Sequence, residues 1–164
     1  MITEQEILTN LKEVKDPEIP TLSIVDLGIV TNVSCSDNHI NISLTPTFAG
    51  CPALRVIEDD VRDRIIECYP GYEVEVKTTF EVPWTTDMIT EEGKQALLKH
   101  GLAPPNKSLD KDGMIELDVL SDVACPNCGS RNTTLKSPFG PTLCRSIHHC
   151  KNCLEAFEAF KPVG

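Results

Sequence analysis

The chain has 164 residues, 40% of them hydrophobic and 24% charged, with a formal net charge of −10. That balance excludes a disordered chain, and no apolar run approaches the roughly 18–20 residues that span a bilayer. Residues 1–90 carry six Lys and Arg against sixteen Asp and Glu, which makes the body a poor match for nucleic-acid phosphates and suits it to solubility.

Met1-Ile2-Thr3-Glu4-Gln5-Glu6 lacks the basic and apolar regions of a signal peptide. The expectation is a cytoplasmic protein with reduced thiols, where paired cysteines hold metal more often than they form disulfides. Glu4 to Lys15 has the spacing of an amphipathic helix, with Thr3 as cap and Ile7, Leu8, Leu11 and Val14 on one face. Asp16-Pro17-Glu18-Ile19-Pro20 ends it, because neither proline continues a helix interior. Ile29–Cys35 and His39–Thr45 alternate as strands, and the short Ser36-Asp37-Asn38 turn makes them a hairpin.

A second helix is predicted over Pro52–Glu67, with Leu54, Ile57, Val61 and Ile65 on its buried stripe. A third strand, Tyr72 to Phe80, follows with Val74 and Val76 inward. This α-β-β-α-β order predicts an α+β domain over residues 1–81, its helices on one face of a small sheet. Pro83-Trp84-Thr85-Thr86-Asp87 is a turn, and a short helix is predicted from Thr90 to Gly101. Bridge helix and linker together occupy 82–114. Ile115-Glu116-Leu117-Asp118-Val119 alternates like a strand and opens a C-terminal module, 115–164.

That module carries the strongest signal, Cys125-x-x-Cys128 and Cys150-x-x-Cys153 separated by 21 residues. Two such turns on facing hairpins offer four thiolates in a tetrahedron, the geometry of structural zinc. A rubredoxin-like iron centre or an iron–sulfur cluster uses the same ligands; redox-active pairs or disulfides are the simpler readings. Metal binding supplies folding energy that so short a segment lacks in its core. Gly129 suits the left-handed backbone of a knuckle, and the basic surplus from Cys125 onward offsets the charge of a four-thiolate centre. Cys144, His148 and His149 are candidate replacement ligands, or else ordinary strand residues. A closed four-thiolate site has no open coordination position, so no catalysis is expected there.

The second informative stretch is Thr45-Pro46-Thr47-Phe48-Ala49-Gly50-Cys51-Pro52-Ala53. With Pro52 at the first helical position, Cys51 is expected at the cap of the second helix, where unpaired N–H groups favour thiolate. A buried small residue at a strand–helix junction is the plainer alternative. Asp16 and Glu18 bracket Pro17, and Asp26-Leu27-Gly28 forms another loop; such carboxylates commonly cap turns or face solvent. Phosphate-binding loops, dinucleotide fingerprints and carboxylate-bridged di-iron motifs are missing from the sequence. A Cys51–His39 nucleophile pair is a further possibility.

These motifs coincide with known families. Asp16-Pro17-Glu18-Ile19, Ser23 to Val30, Thr45-Pro46-Thr47 and Gly50-Cys51-Pro52 resemble the iron–sulfur maturation domain of SufT-like proteins and the eukaryotic cytosolic assembly factors. Pro83 to Asp87, Gly101-Leu102-Ala103-Pro104-Pro105, Cys125-Pro126-x-Cys128-Gly129-Ser130 and Phe139 to Arg145 resemble the PaaD (or PaaJ) component of the phenylacetyl-CoA epoxidase system. The resemblance implies an iron–sulfur-assembly-like domain followed by a four-cysteine zinc-ribbon-like β module. It also implies an accessory protein that serves a di-iron oxygenase and its iron–sulfur flavin reductase in aerobic phenylacetate degradation. Cys51 is then the thiol that handles transient iron or an iron–sulfur cluster, with Asp16, Glu18, Asp26 and Thr47 in support, Cys144 retained, and zinc at Cys125, Cys128, Cys150 and Cys153. A homodimer sharing a cluster between two copies of Cys51 is expected to complete the site. The alternatives are a stoichiometric non-catalytic subunit, a zinc-ribbon nucleic-acid adaptor and a thiol enzyme using Cys51; neither nucleic acid nor membrane is an expected partner.

Overall fold

A computed structural model of the chain describes residues 1–105 and 120–162. The predicted strand 115–119, and residues 106–114 of the expected bridge and linker, lie outside the described residues. The chain divides into two compact units, Met1–Trp84 and Thr85–Gly164.

The first unit contains α1 (Glu4–Leu11), β1 (Val30–Ser36), β2 (His39–Leu44), α2 (Leu54–Cys68) and β3 (Glu73–Thr78). Helix α1 opens with a capping box: the Thr3 hydroxyl accepts from the Glu6 amide, and the Glu6 carboxylate accepts from the Thr3 amide at 2.8 Å. It stops a turn before the expected end at Lys15. The Glu13 and Val14 amides turn to the carbonyls three residues back, and Lys15 then bridges to Ser23. Val14 stays buried all the same.

Strands β1 and β2 form the expected antiparallel hairpin, with Asp37 taking the left-handed turn conformation at φ 49. Strand β3 runs parallel to β2, which requires a long crossover, and α2 provides it. The sheet order is β1-β2-β3. Helix α1 packs on α2 and β1, and α2 packs on β3. Ile40, Ile42 and Leu44 of β2 and Ile57, Val61 and Ile65 of α2 are all buried in the core, and each fully buried aliphatic side chain contributes about 1.5–3 kcal/mol. On β3 only Val76 is fully inside; Val74 is half-buried.

The second unit holds a 3-10 turn (Thr86–Met88), α3 (Glu91–Lys99), β4 (Leu102–Ala103), β5 (Thr133–Ser137), β6 (Arg145–Cys150) and β7 (Ala156–Phe160). Helix α3 begins where predicted: the Thr90 hydroxyl caps the Gly93 amide at 3.0 Å. Gly101 follows with φ 86. The sheet order is β4-β7-β6-β5, parallel between β4 and β7 and antiparallel elsewhere. The bridge helix therefore sits in the same compact unit as the cysteine module and packs beside β4.

Candidate metal centre and thiol corner

Each Cys-x-x-Cys pair sits on a knuckle, and the two knuckles repeat one construction. The Cys125 amide donates to the Ser130 carbonyl, and the Cys150 amide to the Glu155 carbonyl, both at 2.9 Å. The residue after each second cysteine is left-handed: Gly129 at φ 75 and Leu154 at φ 66. The sulfurs of Cys125 and Cys153 lie 3.7 Å apart, those of Cys128 and Cys150 3.6 Å apart, and all four fall within 4.8 Å of one another. Four sulfurs at the usual zinc–sulfur length stand about 3.8 Å apart in a tetrahedron. The donor set and its spacing thus fit zinc. Below it lies a small core of Ala103, Val123, Phe157 and Ala159, against which Cys125 and Cys150 are buried.

Two asparagines complete the centre, and motif reading passed over them. Asn127 of the first knuckle donates its side-chain amide to Cys153 of the second, and Asn152 donates back to Cys128, each at 3.6 Å. The signal was in the sequence as a repeated Cys-x-Asn-Cys. Burial pushes the Cys125 thiol up to about 11, against the pull of the Cys128 and Asn127 amides. The Ser130 amide, followed by the Asn152 side chain, brings Cys128 down to about 6. The Asn127 side chain and then the Glu155 backbone lower Cys153. Metal-free, these knuckles mix neutral thiol and thiolate, and a divalent cation makes all four sulfurs anionic.

The candidate replacement ligands stand apart. His148 is fully buried, its ring stacked on Phe157 at 5.4 Å and its Nε2 2.8 Å from the Ser146 hydroxyl. Burial holds its pKa below the ordinary value. His149 pairs with Thr134 of β5 and Ala156 of β7 within the sheet. Cys144 precedes β6, at the opposite end of that strand from Cys150.

In the first unit, three loops gather at the end of the sheet where β1 begins and β2 and β3 end. The Thr45 amide donates to Ile29, the Thr45 hydroxyl to Val82, and the Trp84 indole to Leu27, at 2.8, 2.7 and 2.9 Å. Cys51 lies on the loop that leaves this corner, half-buried, with Thr47 on the same loop and open space beside Gly50. Phe80 and Val82, on the segment that follows β3, are exposed.

The position of Cys51 corrects one expectation. Helix α2 begins at Leu54 with Ala53 as its cap, so Cys51 lies two residues before the cap. Pro52 and Ala53 make a turn instead, and the first full helical bond runs from the Ile57 amide to the Ala53 carbonyl. The first turn of α2 has neither a side-chain cap nor an acidic residue.

The supporting carboxylates sit on the segment between α1 and β1. Asp16 caps its own loop, accepting from the Glu18 and Ile19 amides at 2.8 and 2.9 Å. It also lines a groove of about 630 Å³ with Asp60, Asp63 and Glu67, and that lining does not include Cys51. Glu18 is exposed. Asp26, on the loop tied to Trp84, meets Lys12 at 3.5 Å. Among the described residues, the four cysteines of the second unit are the one group of three or more potential ligands drawn together. His39 starts β2 and pairs with Glu73, about 17 Å along the strand from the end that leads to Cys51, which removes the Cys51–His39 pair.

Two family models match separate stretches of the chain. Residues 4–77 match the family described as iron–sulfur cluster assembly protein, and residues 112–161 the PaaD zinc beta ribbon domain. A protein of Escherichia coli (strain K12), provisionally named as the D component of 1,2-phenylacetyl-CoA epoxidase, is 36% identical over 159 residues, covering 96% of this chain and 92% of its own. An Fe-S protein maturation auxiliary factor of Porphyromonas gingivalis (strain ATCC BAA-308 / W83) is 37% identical over 91 residues, 55% of this chain and 86% of its own. A crystal structure of a domain of unknown function, DUF59, from Bacillus anthracis is 33% identical with a TM-score of 0.54, covering 57% of this chain and 90% of that one.

Proposed function

Because the chain belongs to the PaaD family of phenylacetyl-CoA epoxidase components, we propose that it is a non-catalytic accessory protein that delivers iron or an iron–sulfur cluster to that enzyme. The carrying observation is the union in one chain of an iron–sulfur assembly domain and a zinc ribbon. Cys51, on an open corner of the first, is the transfer thiol.

The cluster is cargo in this reading. One cysteine holds it weakly, and the remaining ligands come from the recipient or from Cys51 of a second copy. Ligands are then exchanged one at a time until the recipient holds the cluster. The rigid loops around Thr45 keep the thiol in place, while exposed Phe80 and Val82 offer a dry contact. Asp26 and Thr47 are positioned to shape the corner; Asp16 acts through the fold of its own loop. The recipients are the di-iron oxygenase or its iron–sulfur flavin reductase, in the cytoplasm. Among the described residues, no helix is long and apolar enough to cross a membrane. The zinc ribbon is structural and serves docking. At a net charge of −10, nucleic acid is a poor partner.

Expressing the other epoxidase subunits with and without this protein tests the proposal. Loss of epoxidase activity together with iron and sulfide content is the expected result. Full metal content and full activity without it overturns delivery. Lost activity at full metal content favours a second reading, a stoichiometric structural subunit, which the name of the E. coli relative supports. Such a subunit stays with the oxygenase through gel filtration. Within the chain, reconstitution with iron and sulfide should produce charge-transfer absorption that Cys51→Ser abolishes; an unchanged spectrum removes Cys51 from the role.

A further inference from the structure

The four-thiolate centre is unevenly wrapped. Cys125 and Cys150 are 2% and 0% exposed and belong to the small core with Phe157 and Ala159. Cys153 is half-buried, and Cys128 is exposed. Each sulfur has a near neighbour on the opposite knuckle, Cys128 at 3.6 Å from Cys150 and Cys125 at 3.7 Å from Cys153. Both pairs therefore join a buried thiol to a more exposed one, and both span the two knuckles.

The backbone holds the knuckles together without help from a cation. The Lys151 amide donates to the Asn132 carbonyl at 2.8 Å, and Thr133 pairs with Cys150, so the second knuckle is bonded to the chain that leaves the first. The amides of Cys125 and Cys150 are tied to the Ser130 and Glu155 carbonyls. Each buried sulfur thus stays within reach of its outer partner when a metal–sulfur bond is lost.

We propose that this centre is a site of reversible oxidation by peroxides, at which Cys128 reacts first and the disulfides Cys128–Cys150 and Cys125–Cys153 take the place of zinc. The exposed Cys128 thiolate attacks one peroxide oxygen. The O–O bond breaks, Cys128 becomes a sulfenic acid, and the other oxygen leaves as hydroxide and takes a proton to form water. The Cys150 thiolate then attacks the Cys128 sulfur and displaces a second hydroxide, which also becomes water. A second peroxide does the same at Cys153 and Cys125. Each disulfide consumes one peroxide, two thiolates and two protons and yields two waters. The centre has then lost its anionic donors and releases zinc. A thiol reductant returns all four thiolates. This inference is independent of the delivery role assigned to Cys51.

The test uses the full-length, zinc-loaded protein and hydrogen peroxide. Zinc release is followed with a chromophoric chelator, and disulfides are mapped by mass spectrometry after free thiols are alkylated. Zinc release should run about tenfold faster than oxidation of Cys35 and Cys68, half-buried thiols outside the centre that are not held as thiolates. It should keep pace with formation of the Cys128–Cys150 disulfide, and dithiothreitol with added zinc should restore the full zinc content. Zinc retained while Cys35 and Cys68 are oxidised overturns the proposal. So does Cys125–Cys128 or Cys150–Cys153 as the main disulfide, or zinc content that the reductant does not restore.

Discussion

The two asparagines across the zinc centre show how a residue acts on a metal it does not touch. Asn127 and Asn152 each donate to a sulfur of the opposite knuckle, which stabilises thiolate and orients it. Replacing either by Ala should weaken zinc binding by about tenfold or more, measured by competition with a chromophoric chelator. Acidification should weaken it too. The Cys125 thiol, held at about 11 in the metal-free site, must lose its proton to bind, so affinity should fall at least about tenfold per unit decrease in pH. Below about 6, where Cys128 also takes up a proton in the metal-free state, the slope should steepen. At Gly129 nothing lies within 4 Å of an added Cβ, so Gly129→Ala tests backbone strain alone. About 1–2 kcal/mol should be lost, read from thermal unfolding of the zinc-loaded protein. Leu154 bears that strain natively at φ 66.

At the scale of elements, periodicity located the helices and strands because each buries one face. Ile57, Val61 and Ile65 repeat at helical spacing and are all buried, so the second helix was legible without tertiary information. Ile65→Ala should cost about 2–5 kcal/mol, read from denaturant unfolding of the first unit. Helix ends were less legible. Helix α1 stops at Leu11 although the apolar spacing continues to Val14, because a residue can be buried from a turn as well as from a helix. Pro52 points to a helix start at Pro52 with Cys51 as its cap, yet the helix begins at Leu54; proline's fixed φ serves a turn equally well. The sequence marks Thr3 as the cap, and the structure adds Glu6 as the second half of a capping box. Thr3→Ala should destabilise the first unit by about 1 kcal/mol, seen as a lower midpoint in urea.

At the scale of the whole molecule, the two compact units depend on different sources of stability. The first has a core of fully buried aliphatic side chains spanning α1, α2 and its sheet. In the second, the residues beneath the metal centre form a small cluster that includes two of its ligands. Removing zinc with a strong chelator should therefore unfold residues 85–164 while 1–84 keep their structure, giving amide signals of one unit lost and the other retained in NMR. Sequence by itself determined the four-thiolate centre, because two Cys-x-x-Cys pairs admit few other uses, and it determined the α-β-β-α-β order, because periodicity reports burial. It also carried the family resemblance through contiguous motifs. Tertiary structure alone decided what surrounds the thiols, since those neighbours are far apart in the chain. The Lys161 amide reaches the Cys144 carbonyl only because β7 returns alongside β6, and the Cys51 corner forms only because β2 and β3 run parallel and end together. Asp16 and Cys51, which the motifs joined, lie on different segments of the first unit: spacing along a chain records order, and proximity arises from the fold.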